Sequence, residues 1–148
     1  VGMATAGKMD GNPGRVYALC GDGELQEGII WEAALSAAHR NLDNLVLIVD
    51  WNGLQIDGKV DDVKKVTPLS GKFQTFGWHV INVDGHSFPE ILAALDEAKT
   101  VKGQPTAIIA KTHKGHGVSF MEDQAGWHGK APNDEQFRQA MEELGGVQ

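Results

Sequence analysis

Two short, almost continuously apolar runs on either side of a helical pattern place the strongest constraint on how this chain folds. The runs cover 15–20 and 45–49, and such stretches are typical of strands buried on both faces of a parallel sheet. Between them, 27–40 predicts a helix, because small and apolar residues recur there at three- and four-residue spacing. The apolar side of this helix consists of Ile30, Ala33, Ala34, Ala37 and Ala38. The pattern predicts a βαβ unit, whose right-handed crossover brings the carboxyl ends of both strands to one edge of the sheet.

The remaining sequence repeats this alternation of strands and helices. We predict helices over 69–76, 88–99 and 133–144, and strands over 79–83 and 106–110. Ser87 is a predicted N-cap with Pro89 in the first turn behind it, and 1–8 is typical of the end of a small-residue helix. The Gly- and His-rich segment 111–132 is a predicted long loop, and long ordered loops are often functional. We therefore predict an α/β fold in one domain over 1–148, with a parallel sheet and helices on both faces.

Composition excludes several classes of function. The formal net charge is −7 and the 13 Lys and Arg residues are dispersed, whereas a phosphate backbone is bound by clustered cations, so we expect no nucleic-acid partner. No apolar run approaches the roughly 20 residues that span a bilayer, so we expect no membrane association and a cytoplasmic location. Cys20 is the only cysteine, which excludes a disulfide framework within the chain and a sulfur-rich zinc site.

A carboxylate and an amide follow the two predicted strands at the same edge of the sheet. Asp22, between Gly21 and Gly23, follows the first run, and Asn52 follows the second. A Gly-Asp-Gly tripeptide alone is also typical of an ordinary turn. Carboxylate and amide oxygens at one edge favour Mg²⁺, which readily keeps phosphate oxygens and waters as its other ligands. We therefore expect a diphosphate-containing cofactor at this edge.

Three stretches carry a resemblance to a known enzyme family. They are Gly-Asp-Gly-Glu-Leu-Gln-Glu-Gly-Ile-Ile-Trp-Glu-Ala (21–33), Lys-Thr-His-Lys-Gly-His-Gly (111–117) and Trp-His-Gly-Lys-Ala-Pro (127–132). Together with Asn52 they resemble the thiamine-diphosphate-binding motif and, most of all, the N-terminal diphosphate-binding subunit or domain of transketolase. The similarity runs from about 1 to about 144, and its start suggests a family domain shortened at its N-terminus. It implies a partial thiamine-diphosphate-binding fold of the PP type.

The resemblance also implies roles for particular residues. The implied Mg²⁺ ligands are the side chains of Asp22 and Asn52 and the backbone carbonyl of Leu54. The implied cofactor-binding residues are Gly23, Asn52, Ile56, Lys114 and His128. A backbone N–H at Gly23 and the charge of Lys114 suit a diphosphate. His128 is in addition an implied catalytic residue that relays protons along the substrate channel.

Other positions admit more than one interpretation. Ile56 is either an apolar wall beside the cofactor or an ordinary core residue. Glu27 is explained by the helix dipole in the first turn of a helix, but the resemblance implies a catalytic role at a subunit interface. We interpret His86 as structural. The spacing of His113 and His116 suits a metal, but we expect none there because no third ligand or cysteine is close in sequence.

As a whole, the resemblance implies half of a transferase that uses thiamine diphosphate and Mg²⁺ to move a two-carbon ketol unit between sugar phosphates, as in the pentose phosphate pathway. The family's pyrimidine-binding domain is absent from this sequence. We therefore expect a C-terminal transketolase subunit as partner, in a homodimer or heterotetramer, and an inactive isolated chain. The alternatives are a related thiamine enzyme, of deoxyxylulose-phosphate synthase or phosphoketolase type, and a non-catalytic fragment that acts only in assembly.

Overall fold

The computed structural model describes residues 1–146. Its strands are β1 (Val16–Gly21), β2 (Leu45–Trp51), β3 (Leu54–Gln55), β4 (Gly58–Lys59), β5 (His79–Asp84) and β6 (Thr106–Lys111). Its α-helices are α1 (Gly2–Met9), α2 (Gly28–His39), α3 (Val60–Lys64), α4 (Leu69–Thr75), α5 (Phe88–Thr100) and α6 (Asp134–Glu143), and two short 3₁₀ helices cover Asp22–Gln26 and Ala125–Trp127.

Four of the strands form one parallel sheet in the order β1–β2–β6–β5. β1 and β2 are neighbours joined through α2, as the predicted βαβ unit requires. β3 and β4 form a separate antiparallel hairpin immediately after β2. The predicted α/β class with a parallel sheet is therefore confirmed.

Helices cover both faces of the sheet, as predicted. On one face, α1, α2 and α4 pack over the larger core, whose centre includes Ala37, Phe73 and Ile109. On the other, Ala94 and Ala98 of α5 pack over a smaller core. Successive residues of β2 point alternately into the two cores. Leu47 and the residues two positions before and after it belong to the larger core, and Val46 belongs to the smaller one. β2 is therefore buried on both sides, which explains its continuous apolar sequence.

Local sequence signals set most helix boundaries to within one or two residues. The Ser87 hydroxyl accepts a hydrogen bond from the N–H of Glu90 at the start of α5. Asn133 caps α6 by accepting from the N–H of Gln136, whose side chain bonds back to Asn133. The predicted start of α2 at Glu27 is wrong by one residue, because Glu27 has extended backbone angles and only precedes the helix.

Part of the second face remains uncovered beside β1. Tyr17 and Leu19 point away from the larger core and are exposed to 46% and 71%, because α5 packs over β5 and β6 at the far side of the sheet. Among residues 1–146, no helix is long and apolar enough to cross a membrane.

Candidate functional site

The site lies at the carboxyl ends of β1, β2 and β6. Gly21, the last residue of β1, is in register with Asp50 of β2, which is in register with Ala110 of β6. Beyond these positions the chain leaves the sheet through a 3₁₀ helix after β1, a hairpin after β2 and a long loop after β6. Three irregular segments therefore meet where open parallel sheets usually bind ligands.

Asp22 joins the first two of these segments. Its Oδ2 accepts a hydrogen bond from the N–H of Gly53 at 2.7 Å, and its Oδ1 accepts from the N–H of Gly23 at 3.0 Å. The residue is only 1% exposed, and burial raises the pKa of its carboxyl. The negative charge of Asp50 adds to this effect, whereas the two N–H donors and the charge of Lys111 oppose it. A buried carboxylate of this kind gains from a nearby cation.

Asn52 stands beside a second carboxylate. Its Nδ2 donates to Oδ2 of Asp50 at 2.9 Å, and its Oδ1 accepts from the N–H of Leu54 at 2.9 Å. The other carboxylate oxygen of Asp50 accepts from the hydroxyl of Thr112, the residue that follows β6. This network fixes the turn after β2 and ties it to the long loop.

Most of the sequence-predicted site residues surround one open cavity of about 540 Å³. The predicted residues that line it are Gly23, Glu27, Asn52, Leu54, Ile56, Lys114 and His128. They come from four separate stretches of sequence, so the fold brings together positions that the chain keeps apart. Asp22 is the exception, because it does not line this cavity but borders a smaller one of about 200 Å³ with Trp51, Lys59 and Lys111.

Gly23 and the hairpin after β2 form the floor of the cavity. A Cβ on Gly23 would lie 3.0 Å from the Cβ of Gln55, closer than ordinary packing allows. Gln26 holds this hairpin in place, because its Nε2 donates to Oε1 of Gln55 at 2.6 Å and to the carbonyl of Lys64 at 2.9 Å. The hairpin tip carries Ile56, which is 73% exposed. The ordinary-core interpretation of Ile56 is therefore wrong, and the apolar-wall interpretation stays a prediction.

Lys114 and His128 reach the cavity from the long loop. The loop turns back on itself, since the N–H of Asp123 donates to the carbonyl of Lys114 at 2.8 Å. Further along, Trp127 anchors it by donating from Nε1 to the carbonyl of Phe120 at 2.9 Å, with the two rings packed edge to face. His128 directly follows this anchor and is exposed at the cavity rim.

Sequence reasoning missed two acidic residues at this edge. Asp50 lines the cavity and bonds both Asn52 and the long loop. Glu24 accepts a hydrogen bond from the N–H of Gly21 at 2.6 Å and so closes the turn after β1. A carboxylate that interrupts an otherwise apolar strand was the available signal for Asp50. Glu24 lies three residues after a strand end, which is the spacing of a capping side chain.

The interpretation of the loop histidines needs a correction. His86 has a structural contact, as expected, because its Nε2 accepts a hydrogen bond from the N–H of His113 at 2.8 Å. The reason given against a metal near His113 and His116 is wrong, however. The fold of the loop brings Glu122 and Asp123 back to these histidines, which supplies the further ligands that the local sequence lacks.

The family of the chain follows from comparison with known proteins. Residues 7–147 match the model of the transketolase, thiamine diphosphate binding domain family. This match covers nearly the whole chain, and the chain belongs to that family.

Relatives and solved structures agree with this assignment. The chain is 43% identical over 97% of its length to a 6-deoxy-6-sulfo-D-fructose transketolase subunit of Clostridium sp. (strain MSTE9), of which it covers 52%. It is 44% identical over 97% of its length to human transketolase, of which it covers 23%. A transketolase structure from Campylobacter jejuni superimposes with a TM-score of 0.84 at 36% identity, covering 90% of this chain and 21% of that one. The chain thus spans about half the length of the curated subunit that it matches.

Proposed function

We propose that this chain binds the diphosphate and the Mg²⁺ of thiamine diphosphate in an enzyme that transfers a two-carbon ketol unit between sugar phosphates. The single observation that carries the proposal is the shared cavity at the carboxyl edge of the sheet. Seven of the eight residues that the sequence nominates line that cavity, and the eighth, Asp22, is hydrogen-bonded to its wall through Gly53. Family membership names the cofactor that the cavity suits.

The chemistry of the donors fits a hard dication. Asp22 is buried, and within residues 1–146 its carboxylate has only backbone N–H groups as hydrogen-bond partners. Asp50 raises the pKa of Asp22 further through its negative charge. A cation held by the side chains of Asp22 and Asn52 and the carbonyl of Leu54 would relieve this repulsion. All three ligands are oxygens, which is the set that Mg²⁺ prefers.

The diphosphate is proposed to bind at Gly23 and Lys114. The absence of a side chain at Gly23 leaves its backbone open to the cavity, where any Cβ would crowd Gln55. Lys114 lines the same cavity from the opposite loop. The Gly23 N–H itself donates to Oδ1 of Asp22, so the position contributes room for a phosphate oxygen, and the Lys114 ammonium contributes the positive charge that suits a group with several anionic oxygens.

The other proposed roles concern the reaction itself. When bound, the thiazolium of thiamine diphosphate supplies a nucleophilic carbon that can hold a carbanion. Ile56 presents an exposed apolar side chain at the cavity, which would keep water from the reacting atoms. His128 at the rim would hold a substrate oxygen or move a proton there. Glu27 is exposed. It would contact a second subunit and take part in catalysis by linking the active sites across that interface.

A second protein chain or domain is part of the proposal. The Clostridium relative is named a subunit, and by analogy this chain would act in the cytoplasm with a C-terminal, pyrimidine-binding transketolase subunit, as a homodimer or heterotetramer. Alone it would be inactive, because the half of the site that contacts the aminopyrimidine would be missing.

A reconstitution assay tests this function. The protein is mixed with a C-terminal, pyrimidine-binding transketolase subunit, and ketol transfer between a ketose phosphate and an aldose phosphate is followed with thiamine diphosphate and Mg²⁺. We expect transfer only with both proteins, and none with Asp22→Asn. Transfer by the first protein alone would contradict the need for a partner. Deoxyxylulose phosphate or acetyl phosphate as the product would instead favour the related thiamine enzymes.

A further inference from the structure

Four side chains of the long loop form a histidine–carboxylate cluster on the protein surface. Its members are His113, His116, Glu122 and Asp123. Nδ1 of His113 lies 3.2 Å from Oδ2 of Asp123, and Nδ1 of His116 lies 3.8 Å from Oε2 of Glu122. One ligand atom from each of His113, Glu122 and Asp123 lies within 4.8 Å of the other two. Three metal-binding groups therefore already point to one place.

The backbone of the loop holds these groups in position. The N–H of Asp123 donates to the carbonyl of Lys114 at 2.8 Å, and the N–H of Gly117 donates to Oε2 of Glu122 at 3.2 Å. Gly115 turns with a φ of +70° and passes so close to Met121 that a Cβ there would clash with backbone atoms. The cluster thus belongs to a closed, tightly packed turn, which lowers the entropy cost of gathering its ligands.

A third histidine supports the cluster from a neighbouring loop. The His86 ring stacks on His116 with centroids 4.0 Å apart, and its Nε2 accepts a hydrogen bond from the N–H of His113 at 2.8 Å. This Nε2 is occupied, so His86 acts as a positioning residue rather than a ligand. Its contacts restrict both the backbone of His113 and the ring of His116.

We propose that this cluster is a second metal site, which binds Zn²⁺ or a similar transition-metal dication through His113, Glu122 and Asp123. Imidazole together with carboxylate is a ligand set for zinc-like ions, whereas Mg²⁺ prefers oxygen alone. The site therefore differs in chemistry from the Asp22 and Asn52 site and does not rest on the proposed function.

The position of the cluster gives the bound metal a structural role. Its ligands come from both ends of the turn that contains Lys114, a residue that lines the large cavity. A metal bridging His113 to Asp123 would close this turn next to Lys114. Metal binding would therefore restrict the part of the loop that presents Lys114 to the cavity.

Zinc titration of matched variants tests the site. ZnCl₂ is titrated by calorimetry into the protein, purified without a polyhistidine tag, with excess Mg²⁺ present and no thiamine diphosphate. The test variants are His113→Ala and Asp123→Asn, and the control is His79→Ala, which removes another histidine–carboxylate pair, with Glu97. Asp123→Asn nearly preserves shape, and Asn tolerates the positive φ of +54° at this position.

We expect one Zn²⁺ to bind the wild type and the control equally, and both test variants to bind at least about 10-fold more weakly. Equal affinity in the wild type and Asp123→Asn, or an equal loss in His79→Ala, would overturn the proposal. If His113→Ala fails to fold by circular dichroism, Asp123→Asn alone decides the outcome.

Limited trypsin digestion tests the structural role separately. Zn²⁺ should slow cleavage after Lys114 in the wild type and in His79→Ala, but not in Asp123→Asn. Cleavage after Lys64, outside the loop, serves as an internal reference in the same samples. Equal protection at both lysines, or protection that persists in Asp123→Asn, would overturn the role in closing the turn. None of these measurements uses the cofactor, so they can fail while the proposed function stands.

Discussion

The two ends of the parallel sheet shift the pKa of a buried or half-buried carboxyl in opposite directions. At the amino end, Asp43 is paired with Lys8 at 3.0 Å and accepts a hydrogen bond from the N–H of Gly103 at 2.9 Å. These contacts, the Gly103 N–H first, hold the pKa of Asp43 below its usual range. Arg15 ties the same end together by donating to the carbonyls of Asp43 and Lys99.

At the carboxyl end, Asp22 is more deeply buried and lies near a second carboxylate, Asp50. Its pKa is raised, chiefly by burial. The amino end is therefore electrostatically satisfied by contacts within the chain, whereas at the carboxyl end burial and Asp50 outweigh the opposing N–H donors and the charge of Lys111. We propose that the amino end serves stability and that the carboxyl end serves binding.

The largest effect is expected when a metal ligand is removed at the carboxyl end. Asn52→Ala should weaken the binding of thiamine diphosphate with Mg²⁺ by about 100-fold or more, since loss of even an outer partner of a metal ligand costs roughly 10–100-fold. Calorimetry with saturating Mg²⁺ measures this. If this variant binds with wild-type affinity, Asn52 is not a ligand of the metal.

A smaller loss of affinity is expected at the opposite wall of the same cavity. Lys114→Ala should weaken cofactor binding by about 10-fold, equivalent to about 1.4 kcal/mol, because one charge-assisted contact to the diphosphate is lost. Lys130→Ala is the matched control, because this lysine lies in the same loop but packs on the Trp127 ring. Equal losses in both variants would indicate a general charge effect.

At the amino end the effect should fall on stability and leave binding unchanged. Asp43→Asn should lower the free energy of unfolding by about 1 kcal/mol, a modest value because the pair with Lys8 is partly exposed. Urea denaturation measures the change, and cofactor affinity should stay at the wild-type value. Asp96→Asn, which breaks the exposed pair with Lys99, should cause no measurable change. A loss of cofactor affinity in Asp43→Asn would contradict the proposal that the amino end serves stability and the carboxyl end serves binding.

The smallest but most diagnostic effect is a pair of pH dependences with opposite sign, measured without Mg²⁺. The lowered pKa of Asp43 stabilises the fold above its unfolded value of about 3.9, and this contribution is lost as pH falls through the folded pKa. The raised pKa of Asp22 favours folding at low pH, and this contribution is lost as pH rises through its folded value.

Urea denaturation between acidic and neutral pH checks these signs. As pH falls, the stability of the wild type relative to Asp43→Asn should decrease, whereas its stability relative to Asp22→Asn should increase. Changes of the same sign in both comparisons would contradict the assigned pKa directions.

The sequence was most informative where local patterns decide the structure. The apolar run of β2 and the caps Ser87 and Asn133 gave the strands and helices almost at their observed bounds. The short hairpin β3–β4 and the helix α3 were not predicted. Both are too short to show a hydrophobic period, and the hairpin is held from outside by Gln26.

The roles proposed for the site residues stay predictions, and their arrangement around the cavity could not be predicted from the sequence. The resemblance selected residues that the fold brings to one cavity, but the sequence did not indicate that Asp22 borders a separate, smaller cavity or that Asp50 bonds to Asn52. It also discounted a metal at His113, because Glu122 and Asp123 reach it only through the folding of the loop. Contacts of this kind depend on tertiary structure, which periodicity and spacing do not encode.

The most direct test of the central claim is calorimetric titration of thiamine diphosphate and Mg²⁺ into the chain, compared with Asp22→Asn and Asp43→Asn. The account predicts binding by the wild type and by Asp43→Asn and none by Asp22→Asn, with all three proteins folded by circular dichroism. Absence of binding by a folded wild type, or equal binding by Asp22→Asn, would contradict the claim that the carboxyl end of this sheet holds the metal and the diphosphate.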